Sequence, residues 1–225
     1  MRPIDAEMEE RILTFAESMF AGNTEYLNKI EKEALDDGIP IIRTQTQSLL
    51  RFLLELKRPV SILEVGAATG FSACLLRTYA PKDAILTTIE RDPERARKAK
   101  ENFAALEEIR GTGQAGGGIA LLEGDAADIL PKLEGPYDFI FMDAAKGQYI
   151  HFLPDILRLL PKGGLLVSDN ILKDGEILES RFAVKRRDRT IHKRMREYLL
   201  ALSQSRELQT VLLQEGDGAA LCVRR

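Results

Sequence analysis

Ser61-Ile62-Leu63-Glu64-Val65-Gly66-Ala67-Ala68-Thr69-Gly70 is a short apolar run that ends in glycines and opens onto an amphipathic stretch, Ser72–Tyr79. A continuous apolar run of this length predicts a strand buried on both faces. The pattern repeats outward from it. AILTTIE (84–90), GIALLEGD (118–125), YDFIFMD (137–143) and GLLVSD (164–169) follow, separated by helical stretches at 93–109, 126–130 and 148–159. Buried strands alternating with helices predict a doubly wound α/β fold with a mostly parallel sheet. Two last runs, LQTVLL (208–213) and AALCV (219–223), leave only residues 214–218 between them. That is too short for a helix, so they are expected to form an antiparallel C-terminal hairpin. GTGQAGGG (111–118) precedes a strand, not a helix, and reads as a linker.

Upstream the periodicity changes. Met8, Ile12, Phe15 and Met19, then Tyr26, Leu27, Ile30 and Leu35 beyond Gly22-Asn23, recur at helical spacing. Asp37-Gly38 and Pro40 end that segment, and a third helix begins near Thr44 with Leu49, Leu50, Leu53 and Leu54 on its apolar side. The organisation expected is a helical N-terminal extension over 1–57 and the sheet domain over 58–225.

Composition sets the limits. The 225 residues are 44% hydrophobic and 30% charged, which excludes a disordered chain, and no run approaches the roughly 20 apolar residues of a membrane span. The start, MRPIDAEMEERI, has no secretory or transit pattern, and Cys74 and Cys222 read as two buried thiols in a reducing cytoplasm. A cytoplasmic protein with no membrane partner is expected. Net charge is −3, but residues 181–196 hold eight Lys or Arg against the single acid Asp188. A window of +7 in a chain otherwise at −10 points to a contact with something anionic, with a solvated helix face as the alternative.

In open α/β sheets ligands bind beyond the carboxyl ends of the strands. The first run ends in G-x-x-x-G, which is neither a dinucleotide fingerprint nor a P-loop, and Glu64 beside it suits a cationic ligand such as an amino acid ammonium. The second run ends at Glu90, an acid placed to accept both ribose hydroxyls. The third ends at Asp125, which can cap the next helix, bind an adenine amino group, or do both. Together these describe a pocket for S-adenosyl-L-methionine. The fourth run ends at Asp143 and the fifth at Asp169-Asn170, a set of hard oxygen donors that suits Mg²⁺. Lys146 lies three residues past Asp143, close enough to serve the same acceptor oxygen as general base.

EVGAATGFSA, TIERD, GDA, FMDAAKGQY and VSDNIL, in this order, resemble the metal-dependent class I O-methyltransferases of the catechol and caffeoyl-CoA type, over residues 40 to 225. The resemblance implies a seven-stranded sheet and a homodimer. It implies cofactor contacts from Ile42, Glu64, Gly66, Ser72, Glu90, Asp125, Ala126 and Asp143, Mg²⁺ or Mn²⁺ on Asp143, Asp169 and Asn170, and Lys146 as the base. Animal catechol enzymes carry a Trp where this chain has Ala145, and their further acid for the second hydroxyl has no match. DAAKGQY (143–149), DNIL followed by Lys173, the basic helix KRRDRTIHKRMREY (185–198) and the ending GDG-x-A (216–220) are closer to the bacterial tRNA 5-hydroxyuridine methyltransferases of that family. That implies a tRNA anticodon loop as partner and a wobble 5-methoxyuridine as product. A small phenolic substrate is the alternative.

Overall fold

The computed structural model describes residues 6–111, 117–180, 182–214 and 216–225. Its strands are β1 (Ser61–Val65), β2 (Ile85–Glu90), β3 (Gly118–Glu123), β4 (Phe139–Met142), β5 (Leu165–Ser168), β6 (Leu208–Leu213) and β7 (Ala219–Arg224), one for each apolar run. They make one seven-stranded sheet in the order β3-β2-β1-β4-β5-β7-β6. Strands β1 to β5 pair in parallel, and β7 runs antiparallel to both β5 and β6. The strand order turns back between β1 and β4, so the ligand crevice of this fold belongs at their carboxyl ends.

The helices are α1 (Ala6–Ser18), α2 (Glu25–Asp36), α3 (Thr44–Lys57), α4 (Phe71–Tyr79), α5 (Pro93–Arg110), α6 (Ala126–Ile129), α7 (Tyr149–Leu159) and α8 (Arg189–Gln204). Local chemistry sets their ends. Asp92 accepts from the amides of Glu94 and Arg95 with Pro93 in the first turn, and Gly111 ends α5 in the left-handed region at φ 64°. Thr24 accepts from Leu27 N, and Gly38 at φ 68° follows α2.

Both sheet faces are covered. Leu27, Leu50 and Leu54 pack with Phe71, Leu75, Leu86 and Phe141 on one side. Tyr149, Ile156, Met195 and Tyr198 pack with Leu63, Ile140 and Leu166 on the other. Helices α2 and α3 therefore share the core of the sheet and do not stand apart from it. Helix α1 differs: Ile12, Phe15 and Met19 repeat as read from the sequence, yet they are exposed in the single chain.

Three boundaries depart from expectation. Helix α7 begins at Tyr149, preceded by a 3₁₀ turn over Lys146–Gln148. Helix α6 gives way after Ile129 to a 3₁₀ turn, Leu130–Lys132, at Pro131, which has no amide hydrogen to continue the ladder. The basic stretch is helical only from Arg189; before it the chain turns on buried Val184, whose carbonyl accepts from Arg189 Nε at 3.2 Å. Within the expected linker, residues 112–116 lie outside the described residues, as does Arg181 of the basic stretch.

Candidate active site

A cavity of about 430 Å³ opens at the carboxyl ends of β1, β2, β4 and β5. Ile42, Gly66, Ser72, Glu90, Asp125, Ala126, Asp143, Lys146, Asp169 and Asn170 all line it. At one end the donors are already arranged. Glu90 accepts from Ala68 N at 2.8 Å with one oxygen, and from Arg91 N and Asp92 N at 2.9 and 2.8 Å with the other. A carboxylate held by three backbone amides keeps one orientation and still has an acceptor site for a ligand hydroxyl. Asp125 Oδ1 accepts from Ala127 N at 2.9 Å and caps α6, so the capping role left open by the sequence is realised. Its Oδ2 lies 3.8 Å from the Arg91 guanidinium. Gly66, at φ 103°, lets the turn after β1 pass directly against the Asp143 carbonyl.

Glu64 is the one predicted contact that the structure sets behind the wall. It is fully enclosed and does not line the cavity. Oε2 accepts from the Thr88 hydroxyl, and Oε1 is buried with no hydrogen-bond partner among the described residues. Burial pushes its carboxyl up to about 7, against the pull of the neighbouring Ser72 and Thr88 hydroxyls.

At the other end Asp143, Asp169, Asn170 and Lys146 converge. Asn170 Nδ2 lies 3.3 Å from Asp143 Oδ1 and 3.2 Å from Asp169 Oδ2, and Lys146 Nζ donates to Asn170 Oδ1 at 3.2 Å. Burial raises the Asp143 carboxyl, opposed by Lys146 and Asn170. Burial and the neighbouring Asp143 charge push Asp169 up to about 7. Two desolvated carboxylates and an amide make a hard-oxygen set that fits a small divalent cation. Among the described residues no group of three His, Cys, Asp or Glu side chains is placed to hold a metal, and Asn170 turns its amide nitrogen to the two carboxylates and its oxygen to Lys146.

Sequence reasoning missed several neighbours. Thr46 Oγ1 donates to Asp169 Oδ1 at 3.3 Å, and Arg43 pairs with Asp217 at 2.5 Å where both line the cavity. The glycines around Asp217, both at positive φ, were the available signal for a tight turn there.

These carboxyls predict a pH dependence. A group whose folded pKa lies above its unfolded one holds a proton that the unfolded chain has already lost, so stability falls as pH rises between the two values. For Glu64 that window runs from 4.5 to about 7. At roughly 1.4 kcal/mol per pKa unit, its share is on the order of 3 kcal/mol. Urea unfolding of the unliganded protein in EDTA should show lower stability at pH 8 than at pH 5. Glu64→Gln should flatten much of the slope, and an unchanged slope would remove Glu64 as its source.

Residues 17–225 match the O-methyltransferase family. The catechol O-methyltransferase of Niastella koreensis is 34% identical over 148 residues, covering 63% of this chain and 64% of that protein. The tapetum-specific methyltransferase 1 of Arabidopsis thaliana is 28% identical, covering 83% of this chain and 78% of its own. The chain thus spans under two thirds of the first relative and over three quarters of the second. The SAH-bound crystal structure of the Podospora anserina methyltransferase PaMTH1 superposes with a TM-score of 0.82, at 23% identity, over 100% of this chain and 98% of that one. None of the helices among the described residues is long and apolar enough to cross a membrane. The chain belongs to the O-methyltransferase family.

Proposed function

We propose that the methyl acceptor is the 5-hydroxyl of 5-hydroxyuridine at the wobble position of tRNA, in a cytoplasmic reaction that depends on Mg²⁺ or Mn²⁺. The observation that carries this reading is the docking of α8 on the turn that bears Lys146. Arg194 Nη1 donates to Gly147 O at 3.2 Å. The segment leading into α8 exposes Lys185, Arg186 and Arg187, and Phe182 is 87% exposed beside them. Cations interleaved with an unburied aromatic suit a single-stranded RNA, whose phosphates they neutralise and whose bases can stack. Arg189 and Arg196 are spent on the carbonyls of Val184 and Ile177, and Arg187 Nε lies 3.4 Å from Asp188 Oδ2, so Lys185 and Arg186 lead the phosphate contacts and Arg187 stands beside them. A splayed uridine also presents two adjacent oxygens, O5 and O4, to one end of the cavity.

In this reaction S-adenosylmethionine is a substrate, with its ribose on Glu90 and its adenine near Asp125. Asp143, Asp169 and Asn170 are the residues that would hold the divalent cation, which when bound lowers the pKa of the acceptor hydroxyl and fixes its neighbouring oxygen. Lys146 Nζ takes the hydroxyl proton. The resulting oxyanion attacks the methyl carbon in line, the O–C bond forms, and the C–S bond breaks to leave a neutral thioether. Ile42 and the turn around Pro40 close the methionine end against water, which sharpens positioning. The chain acts as a homodimer in this reading, with the exposed apolar face of α1 available to a second copy.

A small catechol-like phenol is the second reading, favoured by the 34% identity to a protein named for catechol. Methyl transfer from labelled S-adenosylmethionine to hypomodified tRNA carrying 5-hydroxyuridine, beside a simple catechol, separates the two. The expected product is 5-methoxyuridine in the digested tRNA, and its rate should fall ~10-fold or more when Lys185, Arg186 and Arg187 are all changed to Ala. Label in the catechol alone, indifferent to that triple change, would move the substrate to small phenols.

A further inference from the structure

Tyr149 stands three residues beyond Lys146, fully buried beneath the ends of β4 and β5. Its hydroxyl lies 3.1 Å from Met142 O and 3.2 Å from Asp169 O, so one proton is shared between the carbonyls at the ends of two neighbouring strands. Met142 immediately precedes Asp143. The ladder between the strands has its last paired residues at Met142 and Ser168, and Asp169 N donates to Met142 O at 3.0 Å just beyond them.

Past that rung Asn170 adopts φ 60°, a left-handed conformation that residues other than glycine seldom take. The carbonyl held by Tyr149 belongs to the peptide joining Asp169 to Asn170. Fixing that peptide fixes where the Asn170 side chain starts, and from there its amide reaches Asp143, Asp169 and Lys146. The Tyr149 ring is itself wedged edge-on against Tyr198, with centroids 5.4 Å apart, and the Tyr198 hydroxyl pairs with Ser168 Oγ at 2.6 Å. Two buried tyrosines therefore grip consecutive residues at the end of β5, but only Tyr149 spans both strands.

We infer that Tyr149 is a positioning residue: its hydroxyl clamps the ends of β4 and β5 so that Asp143, Asp169, Asn170 and Lys146 converge. Losing it loosens the cation site and slows transfer while leaving the cofactor end alone. The inference rests on the divalent-cation reading above. Groups that orient metal-binding side chains commonly matter 10–100-fold to affinity or rate.

Tyr149→Phe keeps the ring and removes one oxygen. Mn²⁺ binding followed by electron paramagnetic resonance needs no turnover, and the variant should bind Mn²⁺ ~10-fold more weakly than wild type. Its kcat should fall by a similar factor, with S-adenosylmethionine affinity within about twofold of wild type. Tyr198→Phe, which strips an oxygen from Ser168 alone, should lower Tm and leave Mn²⁺ affinity and kcat in place. A Tyr149→Phe protein that loses Tm in the same way but keeps its Mn²⁺ affinity and kcat overturns the inference. Wild-type protein that binds no Mn²⁺ overturns the cation reading itself, and this inference with it. A reading independent of any variant is the sheltered Tyr149 hydroxyl proton, which should shift in NMR spectra on Mg²⁺ titration; a proton that stays put counts against the clamp.

Discussion

Lys146→Ala should lower kcat by roughly 10²–10⁴-fold, the range of a general base, while S-adenosylmethionine binds as before. The reason lies in what else faces the cavity. Among the described residues its lining holds no histidine and no other lysine; Arg43, Arg91 and Arg95 are guanidinium groups that do not release a proton at working pH. Asp143 and Asp169 are engaged with Asn170, and Glu90 with three backbone amides. In the proposed reaction Lys146, held at 3.2 Å from Asn170 Oδ1, is the amine that would take the acceptor proton. Lys146→Arg makes the test sharper. Arginine keeps the positive charge near Asn170 but cannot serve as a base, so it should be almost as slow as alanine. Single-turnover transfer of labelled methyl, with calorimetry for cofactor binding, reads both quantities. A Lys146→Arg enzyme within threefold of wild type would reduce the lysine to an electrostatic role.

The central strands β1, β2, β4 and β5 were legible because they are buried on both faces and so appear as unbroken apolar runs, whereas β3 and β6, at the sheet edges, are apolar runs that the fold leaves partly exposed. The acids at their ends were legible because a charged residue closing such a run stands where the fold puts its ligands. Other features required tertiary neighbours that a linear reading does not supply. Glu64 looks like a pocket-facing acid, yet the strand's alternation turns it toward Thr88 and encloses it. The apolar repeat of α1 is genuine, but a repeat does not say whether its partner is the same chain. Arg189, Arg194 and Arg196 read as a uniform charged surface, and only the folded chain shows them donating to carbonyls. Tyr149 reads as one more core aromatic; its hydroxyl acquires meaning from two strand ends that lie 27 residues apart in sequence, at Met142 and Asp169.

Gly66→Ala should cost on the order of 3–5 kcal/mol in stability and abolish both cofactor binding and transfer, through one contact. At φ 103° an alanine is strained before it touches anything. A Cβ at this position would then lie 2.1 Å from Asp143 O, 2.9 Å from Asp143 C and 3.2 Å from Ala144 Cα. All three are backbone atoms, so no side chain can swing aside, and either the turn after β1 or the end of β4 has to move. The first carries the cofactor turn, and the second carries Asp143, which sits between Met142 and the turn bearing Lys146. Gly163→Ala supplies the comparison. Gly163 is at φ 74° with nothing within 4 Å of its would-be Cβ, so it carries the strain without the collision. It should lose only about 1 kcal/mol and retain full activity. Urea unfolding and cofactor calorimetry on the two variants separate strain from collision. If Gly66→Ala stays within about 1 kcal/mol of Gly163→Ala, the close approach of the β1 turn to Asp143 does not couple the two ends of the site.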